Sequence, residues 1–181
     1  CAIYFDDGDG GQVVTGNVFY KASGGNFGAV FNHGGHDNQV TNNIFIDCEQ
    51  AIGSAPWSDG NWAKWQNEPL WQTRLREDVD ITQPPYTDRY PELKDFYIYE
   101  GLRMNHASGN VAVRCKNYVE GNWMVEKSLV TQEDPGFEDY ASGNFALRSD
   151  AAVFTWIPEF EPIPFEAIGL FVDEYRTVVS K

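Results

Sequence analysis

No run of Lys or Arg occurs anywhere in the 181 residues. Lys and Arg together number 13 against 27 Asp and Glu, a formal net charge of −14. Nucleic acids and anionic membranes need a basic face, so this balance argues against both as partners. No stretch approaches the ~20 consecutive apolar residues that span a bilayer. Cysteine is scarce, at positions 1, 48 and 115 only. Three such residues make no disulfide framework and match no zinc spacing, so they read as inert thiols, with Cys48 at an interior position.

What is present is a folded composition, 42% hydrophobic and 15% aromatic, punctuated by 17 glycines that fall mostly between short apolar triplets. The segment from Ile3-Tyr4-Phe5-Asp6-Asp7-Gly8 to Val18-Phe19 aligns without a gap, at an offset of 26, with that from Ala29-Val30-Phe31-Asn32-His33-Gly34 to Ile44-Phe45. A weaker third copy lies at Asn117-Tyr118-Val119-Glu120-Gly121-Asn122-Trp123-Met124. Repeats of β-branched triplets around a recurrent Asn signal a solenoid. The expected class is therefore all-β, a right-handed parallel β-helix in which Asn17, Asn43 and Asn122 form a ladder at one bend. Asn suits a bend because it tolerates the left-handed conformation and pairs otherwise orphan backbone groups.

Strand parity places Val18, Tyr20 and Ala22, with Ile44, Ile46 and Cys48, inward; Lys21, Asp47 and Glu126 share an outward column. Coils are expected over 1–53 and 110–150. An irregular or helical insertion over 54–109 interrupts them, with a short helix within Glu68–Val79, and an extended tail occupies 151–181. An excursion of that size usually packs across a solenoid and walls a groove. The chain opens on Cys1 directly before a strand, with neither a signal peptide nor a cap over the first coil. It is thus expected to be the C-terminal part of a larger β-helix, its partner being the missing N-terminal portion.

The segments Tyr4-Phe5-Asp6-Asp7-Gly8, Asn32-His33-Gly34-Gly35-His36-Asp37-Asn38 and Asn42-Asn43-Ile44-Phe45-Ile46-Asp47-Cys48 carry a resemblance. So do Arg89-Tyr90-Pro91-Glu92-Leu93, Asp134-Pro135-Gly136-Phe137, Ile168-Gly169-Leu170 and Glu174-Tyr175-Arg176. In this order they resemble the C-terminal half of large bacterial right-handed β-helix proteins that act on polysaccharides, and are similar to glycoside hydrolase family 141, which includes fucosidase and xylanase activities. The resemblance implies a secreted, periplasmic or cell-surface glycoside hydrolase with a polysaccharide or oligosaccharide substrate and paired carboxylates.

The residues point to candidates of their own. Asp6 and Asp7 are adjacent acids at a strand end, costly unless solvated, metal-bound or functional. Glycoside hydrolysis needs one carboxyl as acid and another as base or nucleophile. Asp6 or Asp7 is the expected first and Asp47, followed by Glu49, the second. His33 and His36 flank two glycines in an exposed turn and are candidates for substrate contact. Trp57 and Trp62, with Trp65 and Trp71 nearby, suit stacking on sugar rings, or glue the insertion to the solenoid. Glu49, Arg103 and His106 are placed at the border of the same groove. No cofactor is expected. Calcium is the alternative for the acidic turn, although the twelfth position from Asp7 is Val18, not the Glu of a calcium loop. Two rival readings stand: a polysaccharide lyase, disfavoured by the few basic residues near the repeat, and a non-catalytic carbohydrate-binding or structural module.

Overall fold

Short β-branched and aromatic triplets make short strands, and left-handed residues between them turn the chain. A computed structural model describes residues 1–22, 27–97, 104–170 and 172–178. Among these, the chain winds through three four-stranded parallel sheets. The first sheet holds β1 (Ile3–Phe5), β4 (Val30–His33), β7 (Gln50–Ala55) and β10 (Asn117–Val119). The second holds β2 (Val13–Thr15), β5 (Gln39–Thr41), β8 (Asn105–Ser108) and β11 (Trp123–Glu126). The third holds β3 (Val18–Tyr20), β6 (Ile44–Ile46), β9 (Val111–Val113) and β12 (Leu129–Thr131). Successive strands visit the three sheets in turn, and each pairs with its counterpart one round away.

The expected all-β class needs correction, because helices are part of the architecture. After Ala55 the chain leaves the rounds and forms α1 (Asp59–Gln66) and α2 (Pro69–Gln72), which runs into a π-helical turn at Thr73–Glu77. A third helix, α3 (Tyr86–Arg89), and a 3-10 turn at Pro91–Asp95 follow before the chain rejoins at Asn105. Ser58 caps α1 by accepting the Asn61 N–H at 3.3 Å, and Trp62 and Gln66 are its buried residues. The end of the stretch expected as coils, 110–150, leaves the parallel winding for the antiparallel pair β13 (Phe137–Asp139) and β14 (Asn144–Leu147). The expected extended tail, 151–181, contains α4 (Val153–Trp156) and a 3-10 turn at Phe165–Ala167.

That C-terminal part explains a second correction. Phe19 and Phe45, stacked with ring centroids 4.9 Å apart, point into the winding with Val14, Val40 and Ile52. Ile44, Ile46, Val111 and Val113 face the other way, against Phe137, Phe145, Val153 and Ile157. The parity assigned from sequence is therefore inverted for Val18, Tyr20, Ile44 and Ile46, with Tyr20 44% exposed, while Ala22 and Cys48, past the bend, pack inward as expected. Both faces of these strands are covered, so neither shows the polar alternation that would mark it as outer. Lys21, Asp47 and Arg114 follow these strands with φ near +50°. They form the shared corner column; Glu126 ends β11, in another sheet.

Asparagine ladders run up two corners. Asn43 Oδ1 accepts the Asn17 N–H at 3.0 Å, and Asn110 Oδ1 accepts the Asn43 N–H at 3.0 Å. The third rung is thus Asn110, not Asn122. At the corner between the first two sheets, Asn38 Oδ1 accepts from Gln12 N–H at 2.9 Å and Asn105 Oδ1 from Asn38 N–H at 3.0 Å. Asn122 lies at this second corner but one residue before Trp123, the partner of Asn105; its backbone carbonyl accepts the Asn105 N–H.

The 26-residue offset holds in the second and third sheets, where Val13 pairs with Gln39 and Val18 with Ile44. In the first sheet Ile3 pairs with Val30 and Phe5 with Asn32, one residue further. Between paired positions the chain takes one residue more from Phe5 to Val13 than from Asn32 to Gln39, and Asp6, next after Phe5, stands beside His33. Asn32 is wholly buried, donating from Nδ2 to the Gly35 carbonyl and accepting from Asn38 Nδ2.

Candidate functional site

The irregular parts of the repeat stack at one corner, between the first and second sheets. The first round contributes the acidic turn 6–12, the second the turn 34–38, and the third the described part of the insertion, 56–97. Glycine makes the stacking possible. Gly34 has φ +83°, and a Cβ there would overlap the Trp57 indole, while one at Gly35 would overlap the Asp9 carbonyl oxygen. A Cβ at Gly8 would lie 2.9 Å from Trp62 and 3.1 Å from Trp65.

On these turns the insertion lays a continuous run of rings. Centroids of Trp57 and Trp62 lie 5.2 Å apart, Trp62 and Trp65 5.3 Å, and Trp65 and Trp71 3.8 Å; Phe96 stacks near Trp71 at 6.4 Å. His36 packs against Trp62 at 4.9 Å and His33 meets Trp57 edge-on at 5.7 Å. Aromatic pairs of this kind add about 0.5–1.5 kcal/mol each beyond their burial; those among 57–96 stiffen the insertion, and the two histidine pairs tie it to the corner.

Between the acidic turn and the insertion lies a cleft of about 660 Å³. Asp6, Asp7 and Asp9 line one side with Gly8, Gly10 and Gly11, and His36 and Asp37 belong to the next turn. Trp65, Trp71, Tyr90, Glu92, Leu93 and Phe96 line it from the insertion. Among the described lining residues none is Lys or Arg. His33 Nδ1 lies 3.3 Å from Asp6 Oδ1 and 3.2 Å from Asp7 Oδ1, and donor atoms of the three fall within 4.8 Å of one another. Two carboxylates and one imidazole suit zinc or manganese better than calcium, which prefers six to eight oxygens. Asp7 is left-handed, with φ +43°, and donates its N–H to Asp6 Oδ1 at 3.0 Å. Asp9 Oδ1 accepts from Gln12 Nε2 at 2.9 Å.

Asp47 is elsewhere. It sits at the corner after the third sheet, accepts from Arg114 Nε at 3.0 Å and from the Tyr140 hydroxyl, and Arg114 lies over the Tyr140 ring at 3.8 Å. Burial pushes its carboxyl up, but hydrogen bonds from Tyr140 and Arg114 and the charges of Arg114 and Lys21 outweigh burial and hold it below the usual range. The Asp47 hydrogen bond in turn raises the Tyr140 hydroxyl, with burial adding to it. At least the length of one first-sheet strand, roughly 10 Å at 3.3 Å per residue, separates this corner from Asp6 and Asp7. Paired glycosidase carboxyls flank one site, about 5–5.5 or 6.5–9.5 Å apart, and Asp47, held by Arg114 and Tyr140 at another corner, does not line the cleft.

The other expected residues divide. Trp62 is 2% exposed, its ring enclosed by His36, Trp57 and Trp65, which leaves no face for a ligand. His36 lines the cleft but is buried rather than presented, with Nδ1 2.7 Å from Asp37 Oδ2. Trp57 is half-buried and lines a separate hollow of about 210 Å³ with Asn61, Lys64, Trp65 and Glu68. Glu49 meets Lys116 Nζ at 3.2 Å, beyond the Asp47 corner. His106 is exposed on β8, paired between Gln39 and Met124, and does not line the cleft. Arg103 lies outside the described residues. The sequence reading gave Tyr90, Glu92 and Phe96 no site role, although Tyr90 and Glu92 stand in the Arg89–Leu93 segment that carries the resemblance and all three lie inside the Trp-rich insertion.

Comparison of the chain with protein-family models, with curated proteins and with solved structures finds no match. No helix among the described residues is long and apolar enough to cross a membrane.

Proposed function

We propose that the chain is a carbohydrate-active protein, a glycoside hydrolase whose sugar-binding site is the corner cleft. One observation carries this reading: acids and aromatic rings converge on the same concave surface, Asp6, Asp7 and Glu92 with Trp65, Trp71 and Tyr90. Rings bind the apolar faces of sugars, carboxyls bind their hydroxyls, and a volume near 660 Å³ falls within the range of small-ligand clefts.

Glycosidic cleavage needs a carboxyl on each side of the scissile bond. The acidic turn supplies Asp6 and Asp7, ordered by the His33 ring, as base or nucleophile. Glu92, on the insertion, replaces Asp47 as the acid that protonates the leaving oxygen. A lyase is less favoured. It abstracts a proton beside a uronate after a cation neutralises the charge, and the described lining offers no Lys or Arg for either task.

The test is release of reducing ends from a polysaccharide panel by the wild-type chain and by Asp6→Asn, Asp7→Asn and Glu92→Gln. We expect each of these substitutions to lower turnover roughly a hundred-fold or more while oligosaccharide binding persists. Turnover that survives all three substitutions would overturn the catalytic assignment, and binding without turnover in the wild-type chain would identify a binding module.

A further inference from the structure

We infer that the cleft takes a glycan bearing free amino groups, in which a protonated amine lies among the carboxylates and the sugar ring lies on the aromatic wall. The inference rests on the carbohydrate reading above and specifies its substrate class. Asp6, Asp7, Asp9 and Asp37 line the cleft from the turns and Glu92 from the insertion, while the described lining contains no Lys or Arg. A uronate or sulfated glycan would meet carboxylates with no cation between them. A neutral glycan would draw nothing from this concentration of carboxylates beyond hydroxyl hydrogen bonds. An ammonium group answers both problems at once.

The wall strengthens the argument independently of charge. Aromatic faces attract a cation within about 6 Å of the ring centre. Trp65 and Trp71 stand with centroids 3.8 Å apart, Phe96 stacks near Trp71, and Tyr90 adds a fourth ring to the lining. Rings and carboxylates together form the surroundings that recognise an amine attached to an apolar-faced ring. A polycation held by charge alone would need only the acids.

The experiment compares binding of four probes to the full chain by calorimetry in physiological salt: a glucosamine tetramer, its fully N-acetylated counterpart, a galacturonate tetramer and tetralysine. We expect the glucosamine tetramer to bind about ten-fold tighter than the acetylated one, with the galacturonate tetramer weakest. Asp9→Asn and Trp71→Ala should each reduce the glucosamine tetramer's affinity several-fold and narrow its lead over the acetylated form. Equal affinity for the two tetramers would overturn amine selection while leaving the carbohydrate reading in place. Tetralysine binding as tightly as the glucosamine tetramer would overturn it too, by showing simple charge attraction. Failure of every oligosaccharide to bind would overturn both.

Discussion

At the residue scale, stability rests on side chains that pair backbone groups across rounds. Asn43 is wholly buried; its amide donates to the Val14 and Thr41 carbonyls and its oxygen accepts from Asn17 N–H. Asn17, at the end of the ladder, is only partly buried. Asn43→Ala should therefore cost ~3 kcal/mol and Asn17→Ala about 1 kcal/mol by urea denaturation, because buried groups left unpaired carry their full desolvation penalty. Asp47 makes a pH prediction. Its folded carboxyl titrates below the usual value near 3.9, so its contribution is present above that value and is lost as pH falls through the folded one. Asp47→Asn should lower stability at pH 7 by about 1–3 kcal/mol and make the loss between pH 4 and pH 2 shallower than in wild type. An equally steep acid loss in the variant would contradict the pairing with Arg114 and Tyr140.

At the element scale, the insertion is held by rings seated on glycine turns. Gly34→Ala should displace Trp57, since a methyl has no room there and the backbone is left-handed. We expect a loss of about 1–3 kcal/mol and a red-shifted tryptophan emission. The strands and the recurrence of asparagine were legible in the sequence because both follow from local chemistry. What was not legible depended on neighbours. Val-x-Gly-Asn-apolar occurs before the third sheet at Asn17 and before the second at Asn122, so the motif alone did not say which corner it marked. Ile44 and Ile46 were assigned to the wrong face because the C-terminal segment covers the side that would otherwise be polar. The extra residue in turn 6–12 also escaped a gapless alignment, since neighbouring positions were compatible with either register.

At the scale of the whole molecule, the winding brings residues from three separate stretches to one corner. Asp6 and Asp7 could be singled out in advance because two adjacent acids at a strand end are hard to explain structurally. Their partner could not be, because it comes from an insertion whose placement no repeat column predicts. Asp47 looked equivalent by its outward position, yet its carboxyl is engaged with Arg114 and Tyr140 at a different corner. The central claim is that carbohydrate binds in the cleft faced by Trp65 and Trp71. The direct measurement follows the indole N–H signals of the six tryptophans during titration with neutral, acidic and amino oligosaccharides. The account predicts that the bound oligosaccharide shifts Trp65 and Trp71 while leaving Trp123 and Trp156 in place. It is contradicted if no oligosaccharide moves Trp65 or Trp71, or if one that binds shifts Trp123 or Trp156 instead.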